Sequence, residues 1–270
     1  MKSFVQYIIL YIVKNVGLIL FDPIFFLILI YSVAMYKRQR DQILGPQKLK
    51  DILPIMLVDI GIGIAIGLCT SGILAYFQIT FKVHMNILLL IPIAVLLMLK
   101  SPKWGCFSYV VPVAYIIEGL SKLFHIRLFN LDYEMLIYLV GVLHIVEGLL
   151  VILNGHINAR AVPIYNGNKL TSVYVMHHIW VVPLVFMVNS SVGIALPLYA
   201  LLAYGDEARV RTPKQQALLT GCLILVFGSI IFFLAACIDR DILQIGGGIL
   251  MMPVLHELIF VIENFMNKKS

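Results

Sequence analysis

Apolar residues in this chain run in long unbroken blocks, without the period of 2 or 3.6 that a half-buried strand or a surface helix shows. The blocks are Leu18–Tyr36, Leu53–Phe77, Met85–Leu99, Trp104–Leu120, Tyr133–Leu153, Ile179–Tyr204, Ala217–Cys237 and Ile242–Ile262. A helix of roughly 20 apolar residues crosses a hydrocarbon core of about 30 Å, so each block predicts a membrane span, with Met85–Leu99 the shortest. Phe4–Val16 carries Lys14 and is left open between an interfacial and a re-entrant segment. Met1–Leu20 lacks a small-residue cleavage site before the next apolar run, so it is expected to be retained.

Composition agrees. The 270 residues are 61% hydrophobic and 13% charged with mean hydropathy +0.98, against about a quarter charged residues in soluble domains. At roughly 20 residues per span plus loops, this length holds about six to eight helices and no soluble domain. Residues 1–270 are therefore read as a single, all-α polytopic transmembrane domain.

The formal charge of +6 comes from residues placed between blocks, a topological signal and not a nucleic-acid stripe. Short basic loops stay cytoplasmic. The strongest anchor is Lys37, Arg38, Arg40, Lys48 and Lys50, followed by Lys100 with Lys103 and by Arg160 with Lys169. Arg209, Arg211 and Lys214 would then fall outside after a single crossing by Ile179–Tyr204. A re-entrant helical hairpin cures this, with its tip at Asn189, Ser190, Ser191 and Gly193 between Pro183 and Pro197. The expectation is seven crossings plus that hairpin, with the N-terminus outside and the C-terminus cytoplasmic. Cytoplasmic loops are expected at about 37–51, 154–178 and 205–216. In the second of these, Val162–Tyr165, Asn166-Gly167-Asn168 and Thr171–Val175 predict one small cytoplasmic β-hairpin, because Asn-Gly supplies positive φ in a tight turn.

Ionisable groups inside apolar blocks cost a few kcal/mol each and need a partner, water or a purpose. Here they are Asp22, Asp59, Glu118, His144, Glu147, His256 and Glu257. His144 and Glu147, three apart, share a helix face. The leading expectation is a buried polar cluster of His144, Glu147, His256, Glu257, Glu118 and Asp59 that fixes helix register, each hydrogen bond contributing about 0.6 to 2 kcal/mol. A rival is a protease-like membrane metalloenzyme using His144, Glu147 and His256 or Glu257. No HExxH is present, since Phe260 stands where its second His would be. Another rival is a small-solute or ion carrier built on the broken hairpin. The four cysteines, Cys69, Cys106, Cys222 and Cys237, are read as small core or lipid-facing residues. No metal and no cofactor is expected. Gly63 and Gly67, four apart, predict a close approach by another helix.

Several segments together resemble the membrane portion of the MinJ-like family, PDZ-domain membrane proteins of Gram-positive bacteria that position the division site. They are Phe21-Asp22-Pro23-Ile24-Phe25-Phe26 with Tyr36-Lys37-Arg38-Gln39-Arg40, then His144-Ile145-Val146-Glu147-Gly148 with Asn154-Gly155-His156. The Pro163–Tyr174 hairpin leads on to His178-Ile179-Trp180-Val181-Val182-Pro183-Leu184. Ala203-Tyr204-Gly205-Asp206 with Thr212-Pro213-Lys214, and Pro253-Val254-Leu255-His256-Glu257, complete the series.

The resemblance implies a non-enzymatic scaffold in the bacterial cytoplasmic membrane, with DivIVA-like and MinD-like division proteins as partners. The family continues into a PDZ domain. This chain reaches Ser270 directly after its last apolar block, so no PDZ domain is expected and peptide capture by strand addition is not carried over. The expected partner surface is Lys37, Arg38, Arg40, Tyr165, Gly167, Arg209 and Arg211, with membrane lipids and a homo-oligomer as further associations and no nucleic acid.

Overall fold

A computed structural model describes residues 3–46, 48–76, 85–126, 131–166, 169–187 and 195–268. The chain forms two compact units, Met1–Phe81 with Val146–Cys222, and Lys82–Ile145 with Leu223–Ser270. Helices α1 (Phe4–Leu20), α2 (Pro23–Leu44) and α3 (Leu49–Tyr76) come first. A 3-10 turn at Met85–Leu89 leads into α4 (Leu90–Met98), and a second at Pro102–Gly105 precedes α5 (Phe107–Leu123). After α6 (Tyr133–Asn154) come strands β1 (Arg160–Asn166), β2 (Lys169–Met187) and β3 (Ala195–Ala208), then α7 (Pro213–Asp239) and α8 (Ile245–Lys268).

Among the described residues, four helices are long and apolar enough to cross a membrane: Leu49–Tyr76, Tyr133–Asn154, Pro213–Asp239 and Ile245–Asn267. A fifth span results if Phe4–Leu20 and Pro23–Ile43, bent by 76°, act together. The apolar windows of α3, α7 and α8 are only 33%, 33% and 22% buried within the protein. So much exposed apolar surface requires an apolar solvent, and the fold is that of a transmembrane protein.

In the first unit, the α1–α2 bend lies at Phe21-Asp22. The Asp22 carboxylate caps α2, its Oδ1 accepting from the Ile24 amide at 2.9 Å beside Pro23. Its Oδ2 accepts from the Tyr199 hydroxyl at 2.6 Å, so the same side chain ties the bend to β3.

The sheet has the order β1-β2-β3, all antiparallel. The expected small hairpin is present as β1–β2, with Asn166 opposite Lys169; Gly167 and Asn168 lie outside the described residues. Ile179–Tyr204 departs from expectation. It forms a β-hairpin and not a helical one, with Ile179 opposite Ala203 and Met187 opposite Ala195. The expected tip at Asn189, Ser190, Ser191 and Gly193 lies outside the described residues.

The local sequence permits this, and contacts from distant helices decide it. Residues 179–187 are rich in β-branched and aromatic side chains, and a helix interior would lose a hydrogen bond at Pro183. In an antiparallel ladder alternate residues turn their amides to the same edge, so Val181, Pro183 and Val185 share one edge. At Pro183 no donor is lost there. At Val185 the edge is satisfied from helices: its amide donates to Ser71 Oγ at 2.8 Å and its carbonyl accepts from Tyr11 Oη at 2.9 Å.

Gly63 and Gly67 explain the close contact. A Cβ at either would stand 2.5 Å from a strand carbonyl, Val181 O or Pro183 O. The small-residue spacing on α3 therefore admits a strand and not a second helix. α3 covers the strand edge that β3 leaves open. Around it pack Tyr11, Ile19, Phe25, Leu68, Val181 and Val185, with Tyr36, Ile52, Met56 and Ile179 forming a second cluster.

In the second unit, α6 and α7 approach through glycines. A Cβ on Gly141 would lie 2.7 Å from the Phe232 amide nitrogen, and one on Gly228 2.6 Å from that of Ile145.

Candidate functional site

The ionisable groups expected to form one buried cluster are divided by the fold into separate networks. In the first unit Asp59, 1% exposed on α3, accepts from Asn154 Nδ2 at 2.7 Å through Oδ1. Both its oxygens lie 3.0 Å from His178 Nδ1 on β2. His178 Nε2 faces the Ile157 carbonyl at 3.0 Å, so both ring nitrogens meet acceptors. The His178 ring stacks on Trp180 at 5.3 Å and on its cross-strand partner Tyr204 at 6.4 Å. Asp206, two residues further along β3, collects Tyr204 Oη, Gln216 Nε2 and Thr220 Oγ1 on one oxygen at 3.1, 3.0 and 2.9 Å, fastening the strand to α7.

Beside this network His177 packs edge-on against Tyr36 at 5.4 Å. Burial, reinforced by His178 and Arg40, pushes the His177 imidazole down to about 4.

Glu118 on α5 has a structural answer. Tyr133 donates to its Oε2 at 2.6 Å and Lys122 pairs with its Oε1 at 2.7 Å.

The chemistry-bearing group of the second unit contains a residue expected to be a small core or lipid-facing one, Cys106. Ligand-capable atoms of Cys106, His144 and His256 all lie within 4.8 Å of one another. Cys106 is the N-cap of α5, His144 sits in the middle of α6 and is 4% exposed, and His256 is half-buried on α8. Cys106 Sγ is 3.3 Å from His144 Nε2, with Ser108 Oγ at 3.5 Å from the same nitrogen. His144 Nδ1 faces the Val140 carbonyl at 2.8 Å.

A second chain of contacts orients His256. Its Nδ1 meets Tyr109 Oη at 2.9 Å, and that hydroxyl donates to Glu257 Oε1 at 2.7 Å. Lys103 Nζ donates to the same carboxylate oxygen at 2.7 Å. Phe227 stands edge-on to both imidazoles, at 4.8 Å from His144 and 5.3 Å from His256, and Phe260 flanks His256 at 5.4 Å.

Glu147 stands one turn after His144 on α6 and is not among the grouped ligand atoms. Glu257 supports His256 through Tyr109. Cys106 escaped notice because its partners are 38 and 150 residues away, so no local spacing marks it. The one local signal was a cysteine two residues before Ser108, at the N-cap of an apolar helix.

The expected partner surface is also resolved. Arg38 and Arg209 are exposed, Lys37 and Arg211 are half-buried, and Tyr165 lies on β1. Lys37 pairs with Asp41, and Arg209 with Glu207 at 2.6 Å. Arg40 departs from the expectation: it is 6% exposed, because its guanidinium lies over the Tyr36 ring, 5.4 Å from the centroid. Gly167 lies outside the described residues.

No family model, curated protein or solved structure matches this chain.

Proposed function

We propose that the protein is a multi-span adaptor of the bacterial cytoplasmic membrane, recruiting division-site or envelope proteins through a basic cytoplasmic end. The observation that carries this reading is the gathering of basic groups at one end of the first unit. Arg160 stands opposite Val175, and Val175 opposite Glu207, so the start of β1 and the end of β3 lie at one level. Arg40 and His177 line a shallow depression together with Arg160. The last turns of α2 add Lys37 and exposed Arg38, the segment after β3 adds Arg209 and Arg211, and the first turn of α7 adds Lys214.

Basic loops are held on the cytoplasmic side during insertion, which accounts for one shared side. The β2–β3 hairpin performs the return that charge counting demanded. In this topology α2 to α8 make seven crossings, the N-terminus is outside and the C-terminus is cytoplasmic. It requires α2 to cross without α1, and α4, with its preceding 3-10 turn, and the 17-residue α5 to cross as well, which local thinning of the bilayer accommodates.

A positive surface of this kind suits acidic partner faces. DivIVA-like and MinD-like division proteins are the partners that the resemblance implies, with self-association as an addition. The reading is tested with a fluorescent fusion in a rod-shaped Gram-positive cell. Enrichment at septa and poles is expected, and it should disperse in an Arg38→Glu, Arg209→Glu, Lys214→Glu variant that remains in the membrane fraction. An even distribution of the unaltered protein overturns the reading.

A further inference from the structure

We propose that Cys106, His144 and His256 form a mononuclear zinc site that pins α5, α6 and α8 together. The donor set is one thiolate and two imidazoles, a mixture that suits zinc in tetrahedral coordination. Each ligand comes from a different helix of the second unit, so none of them is grouped by sequence proximity.

The hydrogen bonds around the group prepare the nitrogens for a metal. The Val140 carbonyl can only accept, so His144 Nδ1 carries the proton and Nε2, 3.3 Å from Cys106 Sγ, keeps its lone pair. Tyr109 spends its single proton on Glu257 Oε1, so its oxygen accepts from His256 Nδ1–H and leaves His256 Nε2 as the ligand nitrogen. Lys103 fixes the carboxylate in turn. A carboxylate or carbonyl behind each ligating imidazole is the usual outer shell of zinc histidines, and here both histidines have one, directly or through Tyr109.

The dimensions fit. Zinc binds sulfur at about 2.3 Å and nitrogen at about 2.0–2.1 Å, which sets donors roughly 3.3 to 3.7 Å apart. The donor atoms already lie within 4.8 Å of one another, close to that spacing. Phe227 and Phe260 supply an apolar rim around the imidazoles. On binding, the Cys106 thiol proton leaves to solvent and the sulfur becomes a thiolate ligand. Three protein ligands leave the fourth tetrahedral position to water.

Zinc binding does not rest on the adaptor reading. The test uses the full chain purified in mild detergent without chelator. Elemental analysis should find about one zinc per chain, falling at least tenfold in Cys106→Ser and in His256→Ala. A triple Cys69→Ser, Cys222→Ser, Cys237→Ser variant should keep its zinc. After replacement of zinc by cobalt(II), a thiolate-to-metal charge-transfer band and tetrahedral visible bands should appear.

The decisive readout needs no variant. In the unaltered protein, zinc should protect Cys106 from a maleimide, and a chelator should restore labelling at that position, as mapped by mass spectrometry. Failure of zinc to protect Cys106, zinc content below about a tenth of an equivalent after reconstitution, or stoichiometric copper in its place overturns the proposal.

Discussion

His178 Nδ1 meets both carboxylate oxygens of Asp59 at 3.0 Å, with the two side chains 0% and 1% exposed. This pair joins β2 to α3 at the point where the strand crosses the helix, and Asn154 closes it from the end of α6. Removing one member leaves the other buried without its counter-group. Asp59→Ala should therefore cost about 3–5 kcal/mol of stability, read as the unfolding midpoint in detergent. Asp59→Asn, which keeps one acceptor, should cost less.

Gly63 and Gly67 face strand carbonyls at a distance that admits no side chain, whereas a Cβ on Gly61 meets nothing within 4 Å. Gly63→Ala and Gly67→Ala should each lose about 1–3 kcal/mol, because a backbone oxygen cannot move aside. Gly61→Ala should stay within about 0.5 kcal/mol. Thermal unfolding of the three variants side by side checks the contrast.

His177 sets a pH dependence. Its folded value is about 4 against an ordinary 6.5, so between those values the unfolded chain binds more protons than the folded one. Its contribution is complete above pH 6.5 and is lost as pH falls towards 4. The unfolding temperature should drop across that window, and His177→Gln should show a shallower slope.

Tyr109→Phe removes both the acceptor for His256 Nδ1–H and the donor to Glu257. Zinc affinity should fall about tenfold, as measured by chelator competition, while cobalt(II) still shows its thiolate band.

The apolar helices and the β1–β2 hairpin were legible because each rests on a local signal: block length for the helices, and Asn166-Gly167 between extended runs for the hairpin. Residues 179–204 were not, since a buried apolar run has the same pattern as strand or helix. What decides it is tertiary: the Ser71 hydroxyl and the Tyr11 phenol, more than a hundred residues away, satisfy the Val185 edge. The ionisable residues stand out in the sequence one by one, Asp59 and His144 among them. Their pairing was not readable, because Asp59 finds His178 and His144 finds Cys106 across long stretches of chain.

A β2–β3 hairpin that returns the chain to the side it left puts Arg38 and Arg209 on one face of the membrane. Single cysteines at these two positions, labelled with a membrane-impermeant maleimide in right-side-out and inverted vesicles, test it directly. Both should react only when the cytoplasmic face is outward. Labelling of Arg38→Cys and Arg209→Cys from opposite faces would contradict it.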